Sequence, residues 1–234
     1  MGSSRLPGKV LFPIGGMPVI EHVLKRARRI TGIDRLVIAT TNESEDDAVA
    51  TWASENSVAC YRGSVSDVVL RFLETSELWG GAYVARITAD CPLIDPELCS
   101  KVIGKSLDGD LDFCSNYLPP SFPDGMDFSV FRRESLREQA SIGLSEYHRE
   151  HVTTIFEQNQ GNFSTGNVES EIDRSSKRWT LDNFDDYEFL VALSDAAGAG
   201  LADMRYSDIL ALLEKNPHIE KIQSTMPRNY GHLS

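Results

Sequence analysis

Arg35-Leu-Val-Ile-Ala-Thr40, the stretch Glu45 to Glu55, and Val58-Ala-Cys-Tyr61 read together as one repeating unit. A short apolar run bounded by polar residues is the signature of a buried strand, and the longer stretch between the two runs is helical. Ser44 is the expected N-cap of that helix. The alternation continues downstream. Asp67 to Leu78 reads as a helix capped by Ser66, Ala82 to Thr88 as a third strand, and Asp95 to Leu107 as a further helix. Upstream, Val19, Ile20, Val23, Leu24, Ala27 and Ile30 share a helical face, so Pro18 to Ile30 is an amphipathic helix with Pro near its first turn. Strands alternating with helices imply parallel pairing in a three-layer α/β/α domain with a mostly parallel sheet. Ligands of such sheets gather at the carboxyl ends of the strands. Three places therefore stand out: Thr40-Thr41-Asn42, Arg62-Gly63-Ser64 and Thr88-Ala89-Asp90.

The pattern changes after Leu111. Asp112 to Tyr117 and Met126 to Phe131 read as strands around a Pro-rich loop, Leu118 to Gly125. Helices are expected over Arg133–Ala140 and Ser145–Gln158, and Phe163 to Glu169 is expected to pair with a neighbour or a second subunit. Arg178 to Asp182 reads as a last strand, followed by a helix through Ala196 and a final helix from Tyr206 to Lys215. No linker is evident, so residues 1–234 read as a single domain with a β-rich insertion over roughly 112–170.

Composition narrows the function classes. The 234 residues are 41% hydrophobic, enough for a full core. The formal net charge of −12 disfavours nucleic acid and anionic membranes as partners. A nucleotide remains compatible if a local basic loop receives it. Cys60, Cys91, Cys99 and Cys114 show neither a C-x-x-C pair nor a zinc spacing, which fits reduced thiols in a cytoplasmic protein. No signal-peptide pattern and no run long enough to span a bilayer is present in the sequence.

Met1-Gly-Ser-Ser-Arg-Leu-Pro-Gly-Lys9 has the chemistry of a phosphate-gripping loop. Gly2 and Gly8 permit tight turns and close approach. Ser3 and Ser4 offer donors, and Arg5 and Lys9 add two positive charges suited to phosphate oxygens. It is not a Walker A loop: five residues separate Gly2 from Gly8, and Val10 follows Lys9. Two aspartates answer this loop. Asp90 follows an apolar strand in Thr88-Ala-Asp-Cys-Pro-Leu-Ile-Asp-Pro96, and Asp182 follows another in Trp179-Thr-Leu-Asp182. Each alone also reads as a helix N-cap. Together at one sheet edge they suit Mg²⁺, which favours one or two carboxylates plus substrate phosphates. His148 and His151 lack further ligands for zinc, and the Glu43, Glu45, Asp46, Asp47 cluster is accounted for by the helix dipole.

The order Met1–Lys9, Asp90–Pro96, Arg178–Asp182 with Asp185-Asp186 resembles the cytidylyltransferases. The branch it is most similar to is the spore-coat-polysaccharide type, related to the CMP-KDO and acylneuraminate enzymes. Ala39–Asp47, Arg62-Gly-Ser64 with Asp67, Pro123–Asp127 and Arg149-Glu-His-Val-Thr153 extend the resemblance over nearly the whole chain. It implies a nucleotide-diphospho-sugar-transferase-like fold. It also implies transfer of CMP from CTP to an acidic or modified sugar, with release of pyrophosphate, for surface polysaccharide. By the resemblance, Gly2, Ser3, Ser4, Arg5 and Lys9 grip the CTP phosphates, and Arg5, Lys9 and Asp90 are the catalytic groups. Thr40, Asn42, Arg62, Gly63 and Asp67 lie near base and ribose, and Asp90 and Asp182 bind Mg²⁺. Asn116, Asp124, Asp127, Arg149, Glu150 and His151 shape the acceptor-sugar pocket. Relatives are commonly dimers, which makes Pro119 to Val130 and Phe163 to Glu169 the expected homodimer contacts.

One departure has a structural consequence. The family begins with a hydrophobic strand and an Arg before the Gly-Ser loop, whereas this sequence starts within that motif. The expectation is a natural protein that extends upstream. For the chain as given, exposed strand edges and a void at the sheet centre are expected, with poor stability or activity. Two other functions stay open: nucleotidyl transfer from another NTP, such as UTP or GTP, to a sugar phosphate, and nucleotide binding without catalysis.

Overall fold

The computed structural model describes residues 5–222, 226 and 228. The chain opens with a 3-10 turn, Lys9–Leu11, and a small antiparallel hairpin of β1 (Pro13–Ile14) and β2 (Met17–Pro18), then enters α1 (Val19–Ala27). The alternating section follows as β3 (Val37–Thr41), α2 (Asp47–Glu55), β4 (Ala59–Gly63), α3 (Val68–Trp79), β5 (Tyr83–Arg86) and α4 (Pro96–Asp108). The second half holds β6 (Phe113–Ser115), β7 (Ser129–Arg132), α5 (Arg133–Ile142), α6 (Glu146–Glu150), α7 (Thr154–Gln158), β8 (Thr165–Asn167), α8 (Phe184–Ala197), α9 (Tyr206–Lys215) and α10 (Pro217–Glu220). Each expected element has a counterpart except the last strand. Arg178 to Asp182 is extended but contributes only an isolated bridge, from Arg178 to Asp124.

Side chains of successive strand residues sort to opposite faces. Phe113 and Phe131 join the cluster under α3, α5 and α7, while Cys114 and Val130 join the cluster under α1 and α4. This period-two division is what a sheet covered on both faces requires. β3 pairs β4 in parallel, Val37 opposite Ala59; β7 runs antiparallel to both β5 and β6; β6 pairs β8 in parallel. The expected partner of the Phe163–Glu169 segment is therefore β6 of the same chain. A third cluster lies beyond the strand ends, where Trp179, Leu181, Phe189, Leu193, Ile209 and Leu213 are buried.

Several local expectations change. Ser44 begins a 3-10 turn, and no side chain caps α2. Asp67, not Ser66, caps α3, its carboxylate accepting from the Leu70 N–H at 2.8 Å. The stretch Ser145–Gln158 splits into α6 and α7 at His151, whose φ of −107° and ψ of 66° leave the helical region. Phe122, Met126, Phe128 and Val130 are buried within the chain and serve its own core, while Pro119 and Pro120 are exposed.

The expected void is present. Among the described residues β3 pairs only with β4, and β5 only with β7. Between them lies a cavity of about 780 Å³, lined by Val37, Ile38 and Ala39 of β3 and by Val84, Ala85 and Arg86 of β5. Ile20, Val23 and Leu24 of α1 close one face and Phe72 of α3 the other. The slot has two unpaired strand edges for walls and apolar helix faces above and below. An added strand would satisfy both edges and bury apolar area now open to water. Fusing a five-residue Val/Ile strand ahead of residue 1 is expected to raise Tm by about 5 °C or more. An unchanged Tm in a calorimetric melt would show that the slot does not accept a strand.

Candidate active site

The basic loop enters the site on a turn. Gly8 takes φ of 76°, in the left-handed region that a side chain disfavours, and starts the 3-10 turn that carries Lys9. From there Lys9 Nζ donates to Asp90 Oδ2 at 2.6 Å and to Asp182 Oδ1 at 2.8 Å. Arg5 Nη2 lies 3.7 Å from the same Asp182 oxygen. Gly2, Ser3 and Ser4 lie outside the described residues. Asp90 and Asp182 are drawn together by the backbone, since the Leu181 N–H donates to the Asp90 carbonyl at 2.9 Å. Neither is a helix cap: Asp95 caps α4 and Asn183 caps α8.

Arg178 organises the acidic side. It is buried, with a side chain 5% exposed, and its guanidinium pairs with Asp124 at 2.7 Å, Asp182 at 2.7 Å and Asp186 at 2.9 Å. Asp186 also accepts the Asp182 N–H at 2.9 Å while completing the capping box of α8. Gly125 is required here, because a Cβ would collide with the backbone of Trp179 and Thr180. Burial alone would lower the Lys9 pKa, but the charges and hydrogen bonds of Asp90 and Asp182 outweigh it and raise it. Burial would raise Asp182, but Lys9 and Arg178 hold it below the usual carboxylate range.

The acceptor-side carboxylates behave differently. Burial raises Asp124 despite Arg228 and Arg178, and pushes Asp127 up to about 6 against the charge of Arg228. Arg228 pairs with Asp127 and donates to the Phe122 carbonyl. The Asn116 amide is taken at both ends by backbone, donating to Met126 O and accepting from Phe128 N at 2.8 Å each. It therefore fixes the turn that presents Asp127. Arg149 is placed elsewhere. It meets Asp67 at 2.5 Å at the start of α3, joining the expected acceptor set to the expected base set. Glu150 is exposed at the end of α6, and His151 packs against the Tyr147 ring at 4.7 Å.

The base-side residues form a braced loop. Thr40 Oγ1 donates to Asp46 Oδ2 at 2.6 Å, and Thr41 gives the same oxygen its hydroxyl at 2.6 Å and its N–H at 2.9 Å. Arg62 donates to the carbonyls of Thr41 and Glu43 at 2.9 and 2.8 Å and pairs with Asp47. Asn42, Arg62 and Gly63 line a shallow recess of about 510 Å³, with Leu70 at its edge. Asp46 is the residue that sequence reasoning missed, having read it as part of a dipole cluster. The two threonines shortly before it were the available signal.

Two carboxylate oxygens already converge on one cation, the Lys9 ammonium. The donor set is all oxygen and suits a hard divalent ion with phosphate completing its shell. Among the described residues no cluster of three or more His, Cys, Asp or Glu offers a fuller site.

A family model described as cytidylyltransferase matches residues 1–216. The chain belongs to the cytidylyltransferase family. The spore coat polysaccharide biosynthesis protein SpsF of Bacillus subtilis is 31% identical over 224 residues, covering 93% of this chain and 92% of its own. An uncharacterized protein of Methanocaldococcus jannaschii is 30% identical over 227 residues, covering 96% and 91%. The solved structure of a cytidylyltransferase from Leptospira borgpetersenii superposes with a TM-score of 0.90 at 31% identity, covering 96% of this chain and 94% of that one. The nucleotide-sugar-transferase-like α/β fold is thus shared with solved cytidylyltransferases, and the Lys9–Asp90–Asp182 and Arg178 network sits inside the matched region.

Two substitutions test the framework of this family member. Arg178→Met leaves three carboxylates without their shared partner and is expected to cost about 3–5 kcal/mol in urea unfolding. Asp46→Ala removes three bonds to one charged oxygen and is expected to cost roughly 2–3 kcal/mol. Burial would raise the Asp46 pKa, but the hydrogen bonds its carboxylate accepts, those from Thr40 and Thr41 among them, lower it well below its ordinary value. A depressed carboxylate contributes stability above its unfolded pKa and loses it as pH falls. The gap between wild type and Asp46→Ala should therefore be constant above about pH 5 and shrink in more acid solution, near and below the unfolded value of ~3.9.

Proposed function

We propose that the protein transfers CMP from CTP to an acidic or modified sugar and releases pyrophosphate, supplying a nucleotide sugar for surface polysaccharide. The observation that carries this reading is the meeting of Lys9 and Arg5 with Asp90 and Asp182. Cations for phosphate and carboxylates for a metal share one point at the end of β5. The polysaccharide assignment rests on the name of the SpsF relative, and CTP as donor rests on the family.

In this reading Asp90 and Asp182 hold Mg²⁺, which when bound neutralises charge on the nucleotide phosphates. Arg5 and Lys9 bind the phosphates and stabilise the negative charge that grows on the leaving pyrophosphate. An acceptor oxygen of the sugar attacks the α-phosphorus, forming the new O–P bond as the bond to the bridging oxygen breaks. Chemistry of this kind asks the protein mainly for position and charge. Asn42, Arg62 and Gly63 take the base and ribose in their recess, on the loop that Asp46 braces. Asp124 and Asp127, raised by burial, suit hydrogen bonds to sugar hydroxyls. We also read the chain as one nucleotidyltransferase domain, working as a cytoplasmic homodimer.

The test is pyrophosphate release with Mg²⁺ and a panel of acidic sugars, comparing CTP with UTP and GTP. It is run on this chain and on the form carrying the added strand. Release is expected with CTP, and Asp90→Ala should lower it by about 100-fold or more. Release with UTP or GTP in preference to CTP would overturn the base assignment, and release from none would overturn the reading as an enzyme.

A further inference from the structure

The cation that joins Asp90 and Asp182 belongs to the protein itself. Lys9 Nζ takes the inner oxygens of both carboxylates, at 2.6 and 2.8 Å, with a side chain only 12% exposed. A divalent ion bridging the two carboxylates would compete with Lys9 for them. The outer oxygen of Asp182 is held by Arg178 at 2.7 Å, and Arg178 is anchored by Asp124 and Asp186 as well. Its planar fork makes three fixed pairs and cannot withdraw without breaking all of them. Lys9 is a point charge on a flexible stem, carried by a short turn at the start of the described chain. Of the two strongly held cations, it is the one that can move.

We propose that in the free protein Lys9 is the resident counter-ion of the Asp90–Asp182 pair and excludes a divalent metal until nucleotide phosphate gives its ammonium another partner. The proposal rests on reading Asp90 and Asp182 as the metal-holding pair. A divalent ion and an ammonium within one carboxylate pair repel each other, so metal and Lys9 compete for the same two oxygens. Triphosphate changes the balance. It supplies oxygens that accept from Lys9 and oxygens that complete the shell of the metal, so metal and nucleotide arrive together. The same swap moves Lys9 from the carboxylates to the phosphates, where its charge is needed for transfer. Binding order and catalytic alignment follow from one side-chain movement.

The test uses Mn²⁺ alone, followed by the paramagnetic signal of the free ion, on the full chain without nucleotide. Lys9→Met and Lys9→Gln remove the resident charge, and thermal melts establish that each variant is folded. Both are expected to bind Mn²⁺ at least tenfold more tightly than wild type, and adding Asp90→Asn to either should abolish the gain. Equal Mn²⁺ affinity in wild type and in the folded Lys9 variants would overturn the proposal, as would a gain that survives Asp90→Asn. The readout does not involve cytidylyl transfer. Tightening without pyrophosphate release would retain this proposal and reject the enzyme reading, whereas metal-dependent release without tightening would do the reverse.

Discussion

The buried guanidinium of Arg178 is the interaction on which the site depends. It binds three carboxylates from three different stretches: Asp124 from the loop before β7, Asp182 from the extended segment that crosses Asp90, and Asp186 from the first turn of α8. Burying one cation and three anions is costly unless every partner is matched and hydrogen-bonded. Here Lys9, paired with Asp182 and Asp90, and Arg5 beside Asp182 offset part of the remaining negative charge. The basic loop is thus held in place by the same charge balance that holds the acidic residues.

That balance links the two halves of the chain. The first half supplies the loop, β5 and Asp90; the second supplies Asp124, Arg178 and Asp182. Their backbones meet where the Leu181 N–H donates to Asp90 O at 2.9 Å, and the second half is tied to itself where Trp179 donates to Asp124 O at 2.6 Å. The nucleotide side is built separately, by Asp46 gripping Thr40 and Thr41 and by Arg62 fastening the carbonyls beyond them. Among the described residues no strand fills the slot between β3 and β5, which the helices α1 and α3 face. The site is therefore well braced on each side of a sheet whose centre is open.

The sequence by itself determined the order and type of most elements. Val19 to Ile30 and Tyr206 to Lys215 carry helical periodicity, and the apolar runs at 35–40 and 82–88 are short and bounded by polar residues. These are local properties, set within one or two turns of chain. It also marked Lys9, by its place in a basic loop of Gly and Ser, and Asp90 and Asp182, by their positions after apolar runs. Tertiary structure decided the rest. Lys9 meets its aspartates across 81 and 173 residues, and no local propensity encodes such a contact. Arg178 to Asp182 looks like a strand in sequence but packs as a lone extended segment, because its side chains are committed to the ion network and to the core under α8. Asp46 gained its role only when the end of β3 came within reach of its carboxylate, and Arg149 only when α6 reached Asp67 at the start of α3. For Lys9, Arg178 and Arg149 the deciding energy is charge pairing and burial, which exist only once the chain has closed on itself; for Asp46 it is hydrogen bonding to threonines five and six residues earlier, set by the turn that follows β3.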